Sequence, residues 1–395
     1  MIINRLKNYI KLPKAAKAES QRDRKGVRAN DPGVEMAIKE GIHWLSRAQD
    51  NSLSHDGGVA RHYSYINGWS SSYPETTGYI IPTMLDYAEL YNDAISRERA
   101  RKMLDWLVSI QYPEGGFQGG LIQSLPKVPV TFNTGQILIG LARGTKEFGD
   151  EYRIPMQRAA DWLVETLDSD GCWRKHGTPF AAPGEKTYET HVSWGLFEAA
   201  RIEPNKDYSE AAMRNIKWAL QKQHPNGWFD NCCLSTPEQP LTHTLGYALR
   251  GLVEAYRFTE DDNLLQSCRK TAEGLLTAIN DDGSIPGRLN KNWKSTVEWY
   301  CLTGIVQIAH CWLMLYQFTG DAIYRDTAFK ANSYVRRTIS IDDNQDTRGG
   351  VKGSFPVNGG YCAYEFLNWA CKFMIDSNIL ESEIKNNDIS VGGDK

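Results

Sequence analysis

A long internal repeat constrains the fold of this chain more than any other feature. Short tags containing glycine recur at 56–58, 115–117, 170–173, 226–229, 282–285 and, more weakly, 349–350. A second glycine follows each tag, at positions 78, 135, 195, 246, 304 and 360, so that the intervals are 57, 60, 51, 58 and 56 residues. Such a repeat is too long for an ankyrin or tetratricopeptide unit, and it fits one helical hairpin with a long loop.

The two helical segments of each repeat differ in their apolar pattern. The first, as in 101–110 and 158–167, has apolar residues at i, i+3, i+4 and i+7, which is typical of a helix with one wet face. The second, as in 135–142 and 304–315, is apolar on most of its surface, which is typical of a buried helix. Six exposed and six buried helices in alternation predict an all-α fold. We expect a double-walled ring of six helical hairpins, an (α/α)6 toroid, over residues 33–378.

The two ends of the chain are predicted to be tails outside this ring, at 1–32 and 379–395. Residues 1–31 carry nine Lys/Arg and three Asp/Glu in a chain whose net charge is −3. We interpret this start as a flexible tail, with weak contact of residues 1–28 to an anionic membrane surface as the alternative. The acidic remainder argues against nucleic-acid binding.

The lengths of the apolar runs and the number of cysteines indicate the cellular compartment of the protein. No apolar run is long enough to span a membrane, and eight scattered cysteines are too few for a disulfide scaffold. We therefore expect a cytoplasmic protein with reduced cysteines. The sequence leaves the oligomeric state open.

The links between helices predict where the functional site lies. Links from a buried to an exposed segment are short and polar, as in 148–152 and 259–263, whereas the opposite links run to about twenty residues and hold most of the Trp, His and Arg. In an alternating ring, all links of one kind emerge on the same face. The long loops and the starts of the buried helices should therefore surround one mouth, and loops of that length are usually functional.

Titratable residues near the starts of the buried segments are the candidate catalytic groups: Glu75, His191, His243, Glu298 and Tyr300. The two histidines occupy nearly equivalent places in consecutive repeats, so we expect them to face one cavity. Partial burial at such a place moves pKa values towards neutrality, which suits acid–base catalysis. The structural alternative for the glutamates is a role in helix capping or in the first turn.

Candidate substrate-binding residues lie mainly in the long loops: Arg61, His62, Asn133, Trp173, Arg174 and Arg288. Aromatic faces can stack on sugar rings, and arginine recognises carboxylates. Trp173 also belongs to a tag, where an aromatic wedged between hairpins is the structural alternative. A third close ligand with recognisable spacing is missing, so we predict no metal site, and we predict no cofactor.

Two stretches of the repeat carry a family resemblance. Residues 109–117 and 220–228 resemble the Gln…Gly-x-Trp/Phe tags of the prenyltransferase and squalene-cyclase toroids. The short Gly-Asp links at 149–150 and 320–321 resemble those of the six-hairpin glycosidase superfamily, which also contains polysaccharide lyases and sugar epimerases. Over residues 36–375 the chain resembles bacterial proteins associated with polysaccharide biosynthesis.

This resemblance implies a carbohydrate-active enzyme whose substrate is an oligo- or polysaccharide with uronic-acid or other anionic groups. Hydrolysis by the pair Glu75 and Glu298 is the leading hypothesis, because glycosidases use two carboxyl groups. A lyase or epimerase would instead use His191, His243 or Tyr300 as the base. An isoprenoid-processing toroid, which lacks support from any Asp-x-Asp-Asp motif here, and a non-catalytic glycan-binding toroid are further alternatives.

Overall fold

A computed structural model describes residues 10–342 and 344–392 of the chain. Twelve of its helices alternate between an outer and an inner wall. The outer helices are Val34–Asp50, Ala94–Ile110, Arg153–Thr166, Tyr208–Leu220, Asp262–Leu276 and Ala322–Arg336. The inner helices are Pro74–Tyr91, Thr131–Phe148, Thr190–Ile202, Thr242–Thr259, Leu302–Thr319 and Asn368–Gly392. One outer helix and the inner helix that follows it form each hairpin.

The hairpins close into a ring. Each inner helix packs against the inner helices before and after it, and the last, Asn368–Gly392, also packs against Val34–Asp50 and Pro74–Tyr91 of the first hairpin. Inner helices are buried on almost every side near their middle, whereas outer helices keep one exposed face. The predicted (α/α)6 toroid is confirmed.

The glycine tags explain how neighbouring hairpins join. Gly115 has a φ of 109°, and a Cβ atom there would lie 2.1 Å from the carbonyl oxygen of Arg158 on the next outer helix. Gly349 of the sixth tag has a φ of 79°, and its Cβ would lie 2.0 Å from the carbonyl oxygen of Glu40 on the first outer helix. Only glycine combines this backbone conformation with so close an approach. The sixth tag, although its sequence matches the other tags only weakly, therefore closes the ring.

The second glycine of the repeat serves contacts between inner helices. A Cβ atom on Gly195 would lie 2.5 Å from the carbonyl oxygen of Gly135 on the preceding inner helix. Gly360 does not follow this pattern, because it lies in the last long loop against the Trp299 ring, and the sixth inner helix begins only at Asn368. The sequence assignment of Gly360 was therefore wrong.

Small strands tie the first and last long loops together. His62–Ser64 pairs antiparallel with Gly68–Trp69 and with Glu365–Leu367, and Tyr300–Cys301 pairs with Ser354–Phe355. The first of these sheets joins loop 51–73 to loop 337–367 across the point where the ring closes. It thereby fixes the position of Arg61 relative to Glu365.

Part of the segment expected to be a flexible N-terminal tail is a packed helix, Lys14–Asp23. The Lys352 ammonium is 2% exposed and lies 2.8 Å from Glu19 and 2.6 Å from Asp23 of this helix. Asp23 also accepts a hydrogen bond of 2.7 Å from the Val357 amide. A buried charge requires such partners, and the sequence offered no sign of a pairing across more than three hundred residues. Residues 1–9 of the expected tail lie outside the described residues.

The expected C-terminal tail at 379–395 is also helical where it is described, because the sixth inner helix continues to Gly392. Ile379, Leu380 and Ile384 are buried, so that the apolar side chains of this part belong to the ring. Among the described residues, no helix is long and apolar enough to cross a membrane. The eight cysteines are unpaired, and all but Cys362 are buried.

Candidate active site

A cavity of about 430 Å³ opens at the end of the ring where the inner helices begin. The long loops 51–73, 111–130, 167–189, 221–241 and 337–367 contribute to it, as loop asymmetry predicts. Its wall is mainly aromatic, with few charged groups. The lining residues are Arg61, Tyr73, Glu75, Leu121, Ser124, Phe132, Asn133, Thr178, Phe180, Tyr188, Leu234, His243, Thr244, Tyr247, Tyr361, Cys362 and Trp369.

Glu75 is the one carboxyl group among the described lining residues. It lies in the first turn of the inner helix Pro74–Tyr91, where Pro74 starts the helix. Burial raises the pKa of Glu75 to about 7, although the nearby Tyr73 hydroxyl and the Arg61 guanidinium both favour the ionised form. Close to neutral pH, this carboxyl group can therefore either donate or accept a proton.

Arg61 is the one cationic side chain among the same lining residues. Its Nη1 donates hydrogen bonds of 2.8 Å to Glu365 Oε2 and 2.7 Å to His62 Nδ1, and the guanidinium lies 5.0 Å from the Trp369 ring centre. Because arginine only donates, His62 Nδ1 is the acceptor. Burial lowers the pKa of His62 to about 4, which keeps this acceptor unprotonated.

His243 faces the cavity from the first turn of the inner helix Thr242–Thr259. Its Nδ1 lies 2.7 Å from Gln307 Oε1 of the next inner helix. An amide oxygen only accepts, so Nδ1 carries the proton and Nε2 keeps the lone pair of the neutral ring. Burial lowers the pKa of His243 to about 4, with the Gln307 hydrogen bond as an opposing influence.

His191 repeats this arrangement one hairpin earlier, but behind the cavity wall. Its Nδ1 lies 2.6 Å from Gln136 Oε1, and its Nε2 is buried without a hydrogen-bond partner in the described part of the chain. The Tyr247 ring lies between the two histidines, 4.5 Å from the ring centre of His191 and 4.4 Å from that of His243. The expected register of the two histidines is thus present, whereas His191 does not itself line the cavity.

Asn133 completes the polar part of the cavity as expected. It lies in the first turn of the inner helix Thr131–Phe148 and is 1% exposed. Its side-chain nitrogen has no hydrogen-bond partner among the residues described. A buried amide that is left unpaired in this way is available to a bound polar group.

Two expected catalytic residues lie elsewhere. Glu298 is exposed in the loop 277–301 and does not line the cavity. Tyr300 packs edge-on against Tyr334, with ring centres 5.7 Å apart, on the side of an outer helix. Both were assigned by counting back from Gly304, but this inner helix begins at Leu302, two residues before its glycine. Glu298 therefore lies in the loop and Tyr300 in its short strand, and neither is in the first turn of the helix.

Four expected binding residues also lie outside the cavity. Trp173 is 2% exposed, and its ring nitrogen donates to the Leu163 carbonyl. This aromatic residue of the tag therefore has the structural role that was the alternative to sugar binding. Arg174 is an exposed partner of Asp168, Asp170 and Glu185. Arg288 donates to the Gln239 carbonyl at 2.7 Å, which links two loops. His62, as described above, positions Arg61 and does not itself line the cavity.

The aromatic wall and the Arg61 partner were missed in the sequence. Tyr361, Cys362, Glu365 and Trp369 come from the sixth long loop and the start of the last inner helix. Placing the sixth inner helix at Gly360 assigned these residues to its interior. Tyr73 could have been found, because it immediately precedes the first inner helix, where Glu75 was sought. Among the described residues, no group of three His, Cys, Asp or Glu side chains could hold a metal ion.

The helices form a closed double ring, an (α/α)6 toroid. Polar residues that line the cavity at the mouth with the long loops form its candidate active site. The chain belongs to the family described as the squalene-hopene cyclase C-terminal domain, whose sequence model matches residues 25–253. The predicted resemblance is thereby confirmed for the prenyltransferase and cyclase toroids. No curated protein sequence matches the chain.

Solved structures confirm the resemblance to six-hairpin glycosidases at the level of fold. An unsaturated glucuronyl hydrolase specific for heparin is 17% identical, with a TM-score of 0.72, and the match covers 90% of this chain and 99% of the other. A sugar epimerase from a ruminal bacterium is 13% identical, with a TM-score of 0.71 and coverage of 87% and 97%. The cellobiose 2-epimerase from Bacillus thermoamylovorans B4167 is 11% identical, with a TM-score of 0.69 and coverage of 87% and 98%. At these identities the similarity carries the fold alone.

Proposed function

We propose that this protein is a carbohydrate-active enzyme that moves a proton at the sugar carbon next to a carboxylate. Its substrate would be an oligo- or polysaccharide that contains uronic acid, and the reaction an epimerisation or an elimination. The observation that carries this proposal is the presence of both Glu75 and His243 in the lining of one cavity. Glu75 is poised to exchange a proton near pH 7, and His243 is held as a neutral base.

The chemistry of the pair supports each step. His243 Nε2 would remove the proton from the carbon, and the electron pair of the broken C–H bond would move into the carboxylate to give an enolate. The amide nitrogen of Asn133, which has no hydrogen-bond partner among the described residues, would donate to this enolate. Protonated Glu75 would then protonate either the opposite face of the carbon, which inverts it, or the departing glycosidic oxygen, which breaks the chain.

The remaining cavity wall suits an anionic sugar. Arg61 is oriented by Glu365 and His62, and its planar guanidinium can bind a carboxylate through two N–H groups. Tyr188, Tyr361 and Trp369 offer aromatic surface for sugar rings. Two proteins of similar fold are an unsaturated glucuronyl hydrolase specific for heparin and a sugar epimerase, which is consistent with this substrate class.

Activity should follow a bell-shaped dependence on pH. Raising the pH through about 4 deprotonates His243 and creates the base, so kcat/KM should rise there. Raising the pH through about 7 deprotonates Glu75 and removes the acid, so kcat/KM should fall there. The profile is measured with the full chain on uronic-acid oligosaccharides. In Glu75→Gln the residual activity should lose the upper limb, and an upper limb that persists at pH 7 in this variant contradicts the assignment.

Glycoside hydrolysis is the second candidate, because a protonated Glu75 also meets the requirement for a general acid. Hydrolysis further requires a second carboxyl group facing the bond. Glu298, the expected partner, is exposed outside the cavity, and Glu365 is held by Arg61. We do not propose the cyclisation that the family description names, because the sequence has no Asp-x-Asp-Asp motif.

A further inference from the structure

A second cavity, of about 780 Å³, opens at the opposite end of the ring. All six inner helices contribute to its wall, and the short inner-to-outer links surround its mouth. Six cationic side chains and four carboxyl groups line it, so the charge of the lining is positive when all of them are ionised. The proposed reaction uses none of these residues.

A wall of aromatic rings separates the two cavities. Tyr247 lines the first cavity and Trp194 lines the second. The His191 ring lies between them, with ring centres 4.5 Å from Tyr247 and 5.2 Å from Trp194. The Tyr79 and Tyr247 hydroxyls, 3.4 Å apart, are part of the same wall. A ligand in the second cavity would therefore be distinct from a substrate at Glu75.

Three nitrogen-bearing side chains, Lys372, Arg250 and His310, line the second cavity. The Lys372 side chain is 2% exposed, contacts the ring faces of Trp194, Tyr79 and Phe373, and pairs with Asp376. The Arg250 guanidinium stacks 4.2 Å from the Trp194 ring centre and binds Glu254 at 2.7 Å. His310 Nδ1 is buried without a hydrogen-bond partner in the described residues.

Helix dipoles do not account for these three residues. Cations near the last turns, such as Arg143, Lys146 and Arg257, complement the negative ends of the inner helices. Arg250 and His310 lie in the middle of their helices, and Lys372 lies in the N-terminal half of its own. The pKa of Lys372 is lowered by burial first and also by the nearby Arg250, despite the opposing effect of Asp376. Asp376 and Glu254 each neutralise one of these charges, but Arg250 still disfavours the charged form of Lys372, and a bound anion would relieve this repulsion.

We propose that the second cavity binds the dianionic phosphate group of a small phosphate ester. Lys372 and Arg250 would contact the phosphate oxygens, since the ammonium has three N–H donors and Asp376 uses one. His310 would donate from Nδ1 to a third oxygen. The apolar side chains of Met314, Phe318 and Leu380 line the outer part of the cavity and would pack against the organic part of the ester.

Isothermal titration of the full chain tests this site with two probes: inorganic phosphate and glucose 1-phosphate. We expect both to bind, the ester more tightly. Lys372→Met, which keeps an unbranched side chain of similar length, should weaken glucose 1-phosphate by about tenfold or more, as expected for a lost charge-assisted hydrogen bond. Arg257→Gln removes a cation at the more exposed rim of the same cavity and should also weaken the binding of glucose 1-phosphate. This variant provides the test if Lys372→Met does not fold.

Two control variants separate this site from other cations. Arg101→Gln removes an exposed cation of an outer helix that pairs with Glu151, and Arg61→Gln removes the cation of the first cavity; neither should change phosphate affinity. The proposal is overturned if neither phosphate binds at millimolar concentration, or if Lys372→Met and Arg257→Gln both bind as the wild type does. Loss of binding in Arg61→Gln would place the phosphate in the first cavity and would also overturn it. None of these outcomes depends on the proposed reaction.

Discussion

Replacing Glu75 by glutamine is expected to lower kcat on uronic-acid oligosaccharides by about a thousandfold, within the range that a positioned acid or base contributes. Glutamine keeps the shape of the side chain and its place in the first helical turn, but it cannot exchange a proton. Because the buried carboxyl group is mainly neutral below about pH 7, the neutral amide should leave the fold and KM nearly unchanged there.

Glu298→Gln is the matched control, since this carboxyl group lies in a long loop of the same face but is exposed outside the cavity. It should retain full activity. Steady-state kinetics of both variants, with circular dichroism to verify the fold, checks the prediction. Equal loss in the two variants would restore the two-carboxylate hydrolase, whereas full activity in Glu75→Gln would remove Glu75 from the mechanism.

Replacing Gly349 by alanine is expected to lower the free energy of unfolding by about 3 kcal/mol or more. The left-handed backbone costs a Cβ-bearing residue about 1–2 kcal/mol. In addition, the new Cβ would lie 2.0 Å from the Glu40 carbonyl oxygen, so the sixth tag and the first outer helix must separate. The loss should be large because this contact closes the ring.

Gly320→Ala isolates the backbone cost from the ring contact. Gly320 has a φ of 70°, but a Cβ there would meet no atom within 4 Å, so the expected loss is only about 1 kcal/mol. Urea denaturation followed by tryptophan fluorescence measures both variants. Equal midpoints for the two variants would show that the sixth tag does not carry the closure of the ring.

The fold was predictable because the same physical requirement recurs in every hairpin. Each tag needs a glycine where the loop meets the next outer helix, and each inner helix is apolar on most sides because it lies between two layers. These requirements leave a periodic signal in the sequence. Helix Lys14–Asp23 left none, because the contacts that hold it, such as the ion cluster of Lys352, Glu19 and Asp23, bring together distant parts of the chain.

Four of the polar residues that line the cavity were named from the sequence. Glu75, Asn133 and His243 were named because they share one position, the first turn of an inner helix. Arg61 was named because it lies in a long loop and the tag assigns it no structural role. Glu298 and Tyr300 failed because the start of an inner helix shifts relative to its glycine. Tyr361 and Trp369 were missed because the sixth loop is the longest and contains strand pairing that sequence periodicity does not reveal.

The central claim is that the first cavity transfers a proton at the carbon next to a sugar carboxylate, and hydrogen exchange with the solvent tests it most directly. The full chain is incubated with uronic-acid oligosaccharides in D₂O that contains oxygen-18, and the products are read by mass spectrometry and NMR. We predict either deuterium at the carbon next to the carboxylate in a chain of unchanged length, or cleavage that leaves a carbon–carbon double bond in the uronic acid. Cleavage that places oxygen-18 at the new reducing end, without deuterium at that carbon and without a double bond, would contradict the account.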